Sequence, residues 1–498
     1  LKRSIWIIIT ILALIIGLTT GIFGASKIIS DKIFIPELKI TGDVRNIIKI
    51  SDPDIFKDTS ILNTGGYKID TFSLRKLIDY GEPFSQQNKI LVTGCDGKTA
   101  ELDYEELSSS YIAFDSEDGW HSINLKHPVS TKIKRIKEIA VIAKGAVIDF
   151  EYGLSVIDPD ENLLSITPGQ AYGRTTEYLE LEGDVSMEKD GDQLGASIYS
   201  KKKVLGIEEL LDNGTYEKLV VMGRDGNIIY TGNTGLIELE DNHFNYIDGL
   251  SGEITVNDLA GIMIDYPGAS ITDVYHDSIY YLGRGDKVMV IILDGFGYHQ
   301  YKHAAENGYI PFMENSRNTV IASSVFRPVT NAGLAAMFTG KPPAENGIHD
   351  REDREPMVPT VFNNIVQDNK KALYIEGDIQ ILKTEIEPVL NIDHNNDGYI
   401  DDDIFRYSME NINDGFDFVV IHFHSIDDMG HDYGDIVPET MDTIKRLDSY
   451  VDALVSGWDG QVIVTADHGM HTVSDGGSHG EFRYEDMFVP YIVFSVGQ

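Results

Sequence analysis

Three stretches of this chain end an apolar run on side chains that bind metals. KVMVIILDGFG ends its run at Asp294, FDFVVIHFHSIDD runs into Asp427 with His431 four residues on, and QVIVTADHG ends on the pair Asp467 and His468. A further histidine, His479, lies in the Gly-rich GGSHGE, and Thr330 opens TNAGLAAMFTG. Carboxylate oxygens and imidazole nitrogens together suit zinc or a similar divalent ion, and an activated hydroxyl is a nucleophile for ester transfer. Singly, each residue has a plainer use: Thr330 as a helix cap, His479 as a solvated loop residue, Asp294-Gly295 as a turn, Asp427 as a surface carboxylate. Seven of them in this arrangement point to a metallohydrolase site.

The elements that must position them follow from the texture of residues 286–498, which is strand, loop, helix, repeated. Uninterrupted apolar runs read as parallel strands buried on both faces. Between them NAGLAAMF, TVFNNIVQD and PETMDTIKRLDSYVDALV carry helical periodicity. The expectation is an α/β sheet with flanking helices whose polar residues gather at the carboxyl ends of strands, where open α/β sheets place ligands.

With Asp294 in LDGFG, Thr330 in TNAGLAAMFTG, Asp427 and His431 in DDMGH, Asp467 and His468 in TADHGM and His479 in GGSHGE, the segment from Lys287 to about Phe494 resembles the alkaline phosphatase superfamily. Its nucleotide pyrophosphatase/phosphodiesterase branch is the most similar. The resemblance implies two divalent ions, zinc first and manganese or another ion as the alternative. One would be held by Asp294, Asp467, His468 and Thr330, the other by Asp427, His431 and His479. It also implies phosphoester hydrolysis through a covalent phosphothreonine at Thr330. His422 and His424, on the strand before Asp427, are read as packing residues or as supports for the ligands. The sulfatase branch is disfavoured, because its nucleophile sits in C/S-x-P-x-R whereas this chain has V-T-N-A-G. Where the diesterase branch has H-G-I-V-x-N, this chain reads N-G-I-H-D-R, which puts Arg351 in place of an Asn that binds a phosphate oxygen. A guanidinium suits a more highly charged terminal phosphate, so Arg351 tilts the expectation towards a monoester or a substrate with an extra anionic group.

DHNNDGYIDDD, residues 393–403, has EF-hand-like spacing. Asp393, Asn395, Asp397, Tyr399 through its carbonyl, and Asp401 stand at ligand positions, while Ile404 replaces the closing Glu. A structural calcium ion, closed by Asp402 or Asp403 in place of the missing Glu, is the expectation there, with a plain acidic turn as the alternative.

Upstream, Lys2 and Arg3 precede an uncharged apolar run to Ser26, long enough to span a bilayer. Residues 1–26 are therefore expected to be an uncleaved single-pass anchor to the cell membrane, with a cleaved signal peptide as the alternative, and in either case the bulk of the chain extracytoplasmic. Between about 35 and 285 three patterns recur in order: L-x-[IL]-x-G-D-V at Leu38–Val44 and Leu179–Val185, LRKLIDYG and IEELLDNG, and ILVTGCDG and LVVMGRDG. Two β-rich copies, 35–150 and 151–285, are expected from them. The G-x-D-G turn and the alternation after it resemble the molybdopterin-binding fold of sulfite-oxidase-type proteins, without that family's ligating cysteine, since the single cysteine, Cys95, lies inside the turn.

At 498 residues, 41 basic against 80 acidic side chains give a net charge of −39. That field disfavours nucleic acid as a partner and calls for a local cation wherever an anionic substrate binds. One cysteine excludes a disulfide framework. The expected partner is a small-molecule or cell-surface phosphate ester. A phosphoryl or phosphoethanolamine transferase using the same intermediate, and a surface scaffold with a degenerate hydrolase domain, are the alternatives.

Overall fold

The computed structural model describes residues 35–56, 61–64, 67–145, 149–189, 192–211, 216–249, 252–266, 268–316, 318–396 and 398–495. The expected membrane anchor, 1–26, and Asp397 of the acidic loop lie outside these residues. Among the described residues no helix is long and apolar enough to cross a membrane. The chain divides into two compact units, 1–145 and 146–498.

The first unit is built on a five-stranded sheet in the order Ile48–Ile50, Leu38–Gly42, Ile136–Ala143, Asn88–Gly94, Thr99–Asp103. In NKILVTG, Asn88, Ile90, Val92 and Gly94 face inward, as a strand with one covered face requires. The core gathers Leu38, Ile40, Ile90, Val92 and the fully buried Trp120, whose indole N–H donates to the Pro36 carbonyl at 2.7 Å.

The second unit repeats this sheet: Leu163–Ile166, Leu154–Ile157, Leu259–Ile264, Lys218–Gly223, Ile228–Gly232. In both sheets the strand that comes first in the sequence, Leu38–Gly42 or Leu154–Ile157, runs parallel to the one that comes last, Ile136–Ala143 or Leu259–Ile264, and antiparallel to the one that comes second, Ile48–Ile50 or Leu163–Ile166. The likeness extends to the G-x-D-G turns. Gly97 and Gly226 both adopt positive φ, +79° and +76°, and Asp96 and Asp225 each accept the N–H two residues on. One expected correspondence fails. Leu38–Gly42 is a sheet strand, but Leu179–Val185 lies in a long hairpin, Thr176–Lys189 against Asp192–Gly206, and the true counterpart of the first strand is Leu154–Ile157. The shared pattern reflects generic strand alternation rather than equivalent place.

The sheet that carries the site has eight strands, in the order Ala269–Ser270, Thr319–Ser323, Phe488–Phe494, Gln461–Thr465, Val288–Leu293, Phe418–Phe423, Ala372–Glu376, Val389–Leu390. Only Phe488–Phe494 runs antiparallel to its neighbours. Every residue of Val288–Leu293 and Phe418–Phe423 is buried, which accounts for their lack of alternation. Ala269–Ser270 and the helix Asp273–Gly283 precede Asp286 yet belong to this sheet and its core through Ile271, Val274 and Leu282.

Within the second unit the β module presses on the loop that follows His479. Phe482 packs with Ile157, Val220, Met222 and Met263, and a Cβ on Gly261 would lie 2.2 Å from the Phe482 ring. Glu161 adds contacts from Lys302 at 2.5 Å and the Tyr484 hydroxyl at 2.9 Å. Phe482→Ala is expected to cost about 3–5 kcal/mol, read as a lowered urea midpoint.

Candidate functional site

Strand register brings the site together. Val288–Leu293 lies between Phe418–Phe423 and Gln461–Thr465, with Leu293 opposite Phe423 and Ile292 opposite Thr465. The carboxyl ends of three adjacent parallel strands thus deliver Asp294, the segment that leads to Asp427, and Asp467. Gly295 makes the turn after Asp294 at φ +74°, and a Cβ there would approach Asp427 to 3.0 Å, so glycine lets the two segments meet. Asp427 and His431 lie one turn apart on the helix Ser425–Tyr433. Thr330 is the first residue of the almost wholly buried helix Thr330–Thr339, which approaches Asp467 so closely that a Cβ on Gly333 would sit 2.7 Å from it.

The seven residues form two adjoining sets. In the first, His468 Nε2 stands 3.3 Å from Thr330 Oγ, 3.4 Å from Asp294 Oδ1 and 3.5 Å from Asp467 Oδ2. In the second, Asp427 lies 3.4 Å from His431 Nε2 and 3.8 Å from His479 Nε2. The His468 and His479 rings stack at 3.9 Å, which joins the sets. All three histidines are oriented alike: Nδ1 of His431, His468 and His479 contacts the carbonyl of Gly477, Gly469 and Pro328 at 2.9–3.0 Å, leaving Nε2 turned to the site. A carbonyl partner on Nδ1 fixes the tautomer of a metal-binding histidine.

The donor atoms fit cations. Asp294 Oδ1, Asp467 Oδ2, Asp427 Oδ1 and His431 Nε2 are buried without a hydrogen-bond partner among the described residues. Such groups are costly unless something satisfies them. Burial and the nearby Asp294 charge push Asp467 up to about 7. The Asp427 carboxylate, 3.4 Å from His431 Nε2, raises His431 to about 9, whereas burial and His468 depress His479 to about 3. Crowded carboxylates hold protons on themselves and on neighbouring rings, and a divalent ion would take the place of those protons.

Arg351 also reaches the site. Its Nη2 lies 2.6 Å from His479 Nε2, and it lines a cavity of about 400 Å³ in which it and Arg327 face three carboxylates, Asp350, Glu352 and Glu481, beside Val329, His479 and Gly480. Asn331, next to the nucleophile candidate, holds the Arg351 loop by donating to the carbonyls of Arg351 and Asp353 at 3.3 and 2.7 Å. The sequence reading passed over Asn331, and nothing in its spacing marks it.

His422 and His424 are closer to the site than packing residues. His422 Nε2 and His424 Nδ1 lie 3.3 and 3.6 Å from Asp294 Oδ2, and both rings contact the fully buried Glu376. Burial opposes charge on His422, yet the Glu376 carboxylate raises it to about 9. Glu376 also went unread, although ALYIEG ends an apolar run on a ligand-type residue just as VIILDG does.

The acidic loop is arranged differently from the expected calcium site. Asp393 accepts the N–H groups of Asn396 and Gly398, and Asn395 donates to Asp402. Tyr399 lies under the Arg446 guanidinium at 4.1 Å. Asp401, the expected ninth-position ligand, is buried and accepts the N–H groups of His424 and Ser425 at 2.9 Å each, which caps the helix that carries Asp427 and His431. The turn is thus tied to the site through Asp401, while Asp397, central to the expected calcium loop, lies outside the described residues. Asp401→Ala would strand two buried donors, and a loss of about 1–3 kcal/mol in denaturant unfolding is expected.

Residues 380–490 match the family model of type I phosphodiesterase / nucleotide pyrophosphatase. The matched segment contains Asp427, His431, Asp467, His468 and His479, while Asp294, Thr330 and Arg351 precede it. This part of the chain resembles that family. No curated protein sequence matches the chain. Among solved structures, phosphonoacetate hydrolase from Sinorhizobium meliloti 1021 is 17% identical with a TM-score of 0.31, over 37% of this chain and 57% of that one. Murine ectonucleotide pyrophosphatase / phosphodiesterase 5 is 18% identical with a TM-score of 0.32, over 38% and 58%. A 2-O GAG sulfatase is 15% identical with a TM-score of 0.34, over 43% and 64%. The chain therefore spans less than two thirds of the length of these structures.

Proposed function

We propose that this protein is a metal-dependent phosphoric ester hydrolase that transfers the phosphoryl group to Thr330 and then to water. The observation that carries this reading is the meeting of two ligand sets with inward-facing orphaned donor atoms, joined through His468 and His479, with the Thr330 hydroxyl 3.3 Å from His468 Nε2. Asp294, Asp467, His468 and Thr330 would hold one divalent ion, and Asp427, His431 and His479 the other. When bound, such ions supply charge neutralisation at the phosphoryl oxygens and lower the pKa of a hydroxyl and of water. The chain's own residues do the rest. Thr330 presents Oγ from the first turn of a ten-residue helix, whose free N–H groups favour negative charge at that end. A bond from Oγ to phosphorus forms as the bond to the leaving oxygen breaks, and the departing alcohol or phosphate takes a proton. Water's oxygen then bonds to phosphorus as the Oγ–phosphorus bond breaks, the phosphate product leaves, and a proton from the water regenerates the Thr330 hydroxyl. The carbonyls of Gly469, Gly477 and Pro328 keep the three imidazoles aimed throughout.

Arg351 gives the reading its preference. In a chain of charge −39, a guanidinium at the lip of the site supplies the local attraction that an anionic substrate needs. A terminal phosphate carries one more charged oxygen than a diester, and a charge-assisted hydrogen bond contributes roughly 1.5–3 kcal/mol. Arg351→Ala is therefore expected to lower kcat/KM for an aryl phosphate monoester by about 10- to 100-fold, with a smaller loss on the matched diester. Equal losses on both would remove the preference.

The apolar run of residues 4–26 supports the further proposal that the enzyme is held at the cell membrane with its catalytic domain outside, acting on a small-molecule or surface phosphate ester. Release of the protein from membranes by alkaline carbonate, without detergent, would contradict the anchor.

A further inference from the structure

Behind the first ligand set lies a second convergence that the proposed reaction does not use. His422 ends its ring on two carboxylates: Nδ1 is 3.0 Å from Glu376 Oε1 and Nε2 is 3.3 Å from Asp294 Oδ2. His424, two residues on, does the same in mirror fashion, with Nε2 at 2.7 Å from the same Glu376 oxygen and Nδ1 at 3.6 Å from the same Asp294 oxygen. The rings stand 4.1 Å apart. Glu376 is itself pinned, accepting the Gly377 N–H at 3.0 Å and the Tyr374 hydroxyl. His422 is fully buried, and its Nε2 has no hydrogen-bond partner among the described residues.

The two sides of the cluster are unequal. On the Glu376 side the distances are those of charge-assisted hydrogen bonds, 2.7 and 3.0 Å, while on the Asp294 side they are 3.3 and 3.6 Å, too long for such bonds. A lock of two imidazolium ions between two carboxylates would close both sides alike. One buried carboxylate holding the far nitrogens of two histidines, so that the near nitrogens converge, is instead the arrangement by which proteins orient metal-binding imidazoles.

We propose that Asp294 Oδ2, His422 Nε2 and His424 Nδ1 bind a third divalent cation, oriented by Glu376, with Asp294 bridging it to the first set through Oδ1. Two nitrogens and one oxygen suit zinc or a similar borderline ion rather than calcium or magnesium. The ion would enter past His424, whose side chain is 17% exposed, since the His422 and Glu376 side chains are sealed. The inference rests on Asp294 being a cation ligand and goes beyond the two-ion reading.

The test is a count. The protein is stripped with a chelator, saturated with Zn²⁺, freed of excess, and its zinc measured per chain. Three ions are expected in the native protein and two in His424→Gln. In Glu376→Gln the weakest site should lose about 10- to 100-fold in affinity by zinc titration. Two ions in the native protein at saturation, or three retained in the double variant His422→Asn/His424→Gln, would overturn the third site and leave the two-ion hydrolase intact. No zinc bound at all would overturn both. Should the variants fail to fold, anomalous diffraction from zinc-soaked crystals of the native protein decides. A peak between Asp294 Oδ2 and the two rings supports the site, and peaks at the other two sets alone refute it.

Discussion

Thr330→Ala is expected to lower turnover of an aryl phosphate by about 10⁴-fold or more, the scale on which removal of a covalent nucleophile acts. Oγ lies 3.3 Å from His468 Nε2 beside Asp294 and Asp467, and alanine removes that atom, and with it one member of the first ligand set, while leaving Asp294, Asp467, His468 and the whole second set in place. Stability should hardly change. Thr330 is half-buried and is the first helical residue, whereas the cap position belongs to Val329, so no capping bond is lost. Thr330→Ser, which keeps an oxygen there, should recover much of the activity. A phosphoryl group found on the native protein after rapid quenching, and absent from Thr330→Ala, would identify the attacked atom. Full turnover in Thr330→Ala would remove the nucleophile from the account.

Asp467→Asn is the second large effect, and it acts through the ions. One carboxylate oxygen of Asp467 accepts the N–H groups of Gly295 and His468 at 3.3 and 3.0 Å. The other is buried and orphaned beside His468. An amide that keeps the first pair of contacts through its oxygen turns a repelling NH₂ group to the cation, and one that is flipped offers the cation a neutral oxygen at the expense of those contacts. Affinity for the first ion should fall by at least about 10²-fold, and turnover with it, while the Asp427, His431 and His479 set still binds. Zinc titration of the variant, read beside the native protein, separates this from global unfolding. Burial already pushes Asp467 up to about 7, so the metal-free native protein accommodates a neutral group at that position near neutral pH. Asp467→Asn should therefore fold, and an unfolded variant would count against this description of the site.

How far the sequence led can be judged from particular residues. Asp294 and Asp467 were legible because each closely follows the end of an apolar parallel strand, and Asp427 because it stands one helical turn before His431. Glu376 follows the same rule and was missed, because one more acidic residue among 80 carries no signal until the register sets its strand beside Phe418–Phe423. Asn331 has a purely tertiary role in gripping the Arg351 loop. The acidic loop shows how one spacing serves several ends, since Asp393 takes its own loop's N–H groups and Asp401 takes those of His424 and Ser425, a link to the site that the spacing alone does not reveal. The module repeat was visible in its turns, where Gly97 and Gly226 need positive φ, and misread in L-x-[IL]-x-G-D-V, which any strand running into a turn can satisfy. The sheet's beginning at Ala269 was hidden because two residues of strand show no period.

The central claim is metal-dependent phosphoester hydrolysis, and turnover of matched aryl phosphate monoester and diester substrates, before and after chelation and with zinc or manganese restored, tests it most directly. The account predicts turnover that chelation abolishes and either ion restores, with the monoester favoured. Turnover indifferent to chelation, or none on either substrate with both ligand sets filled, would contradict it.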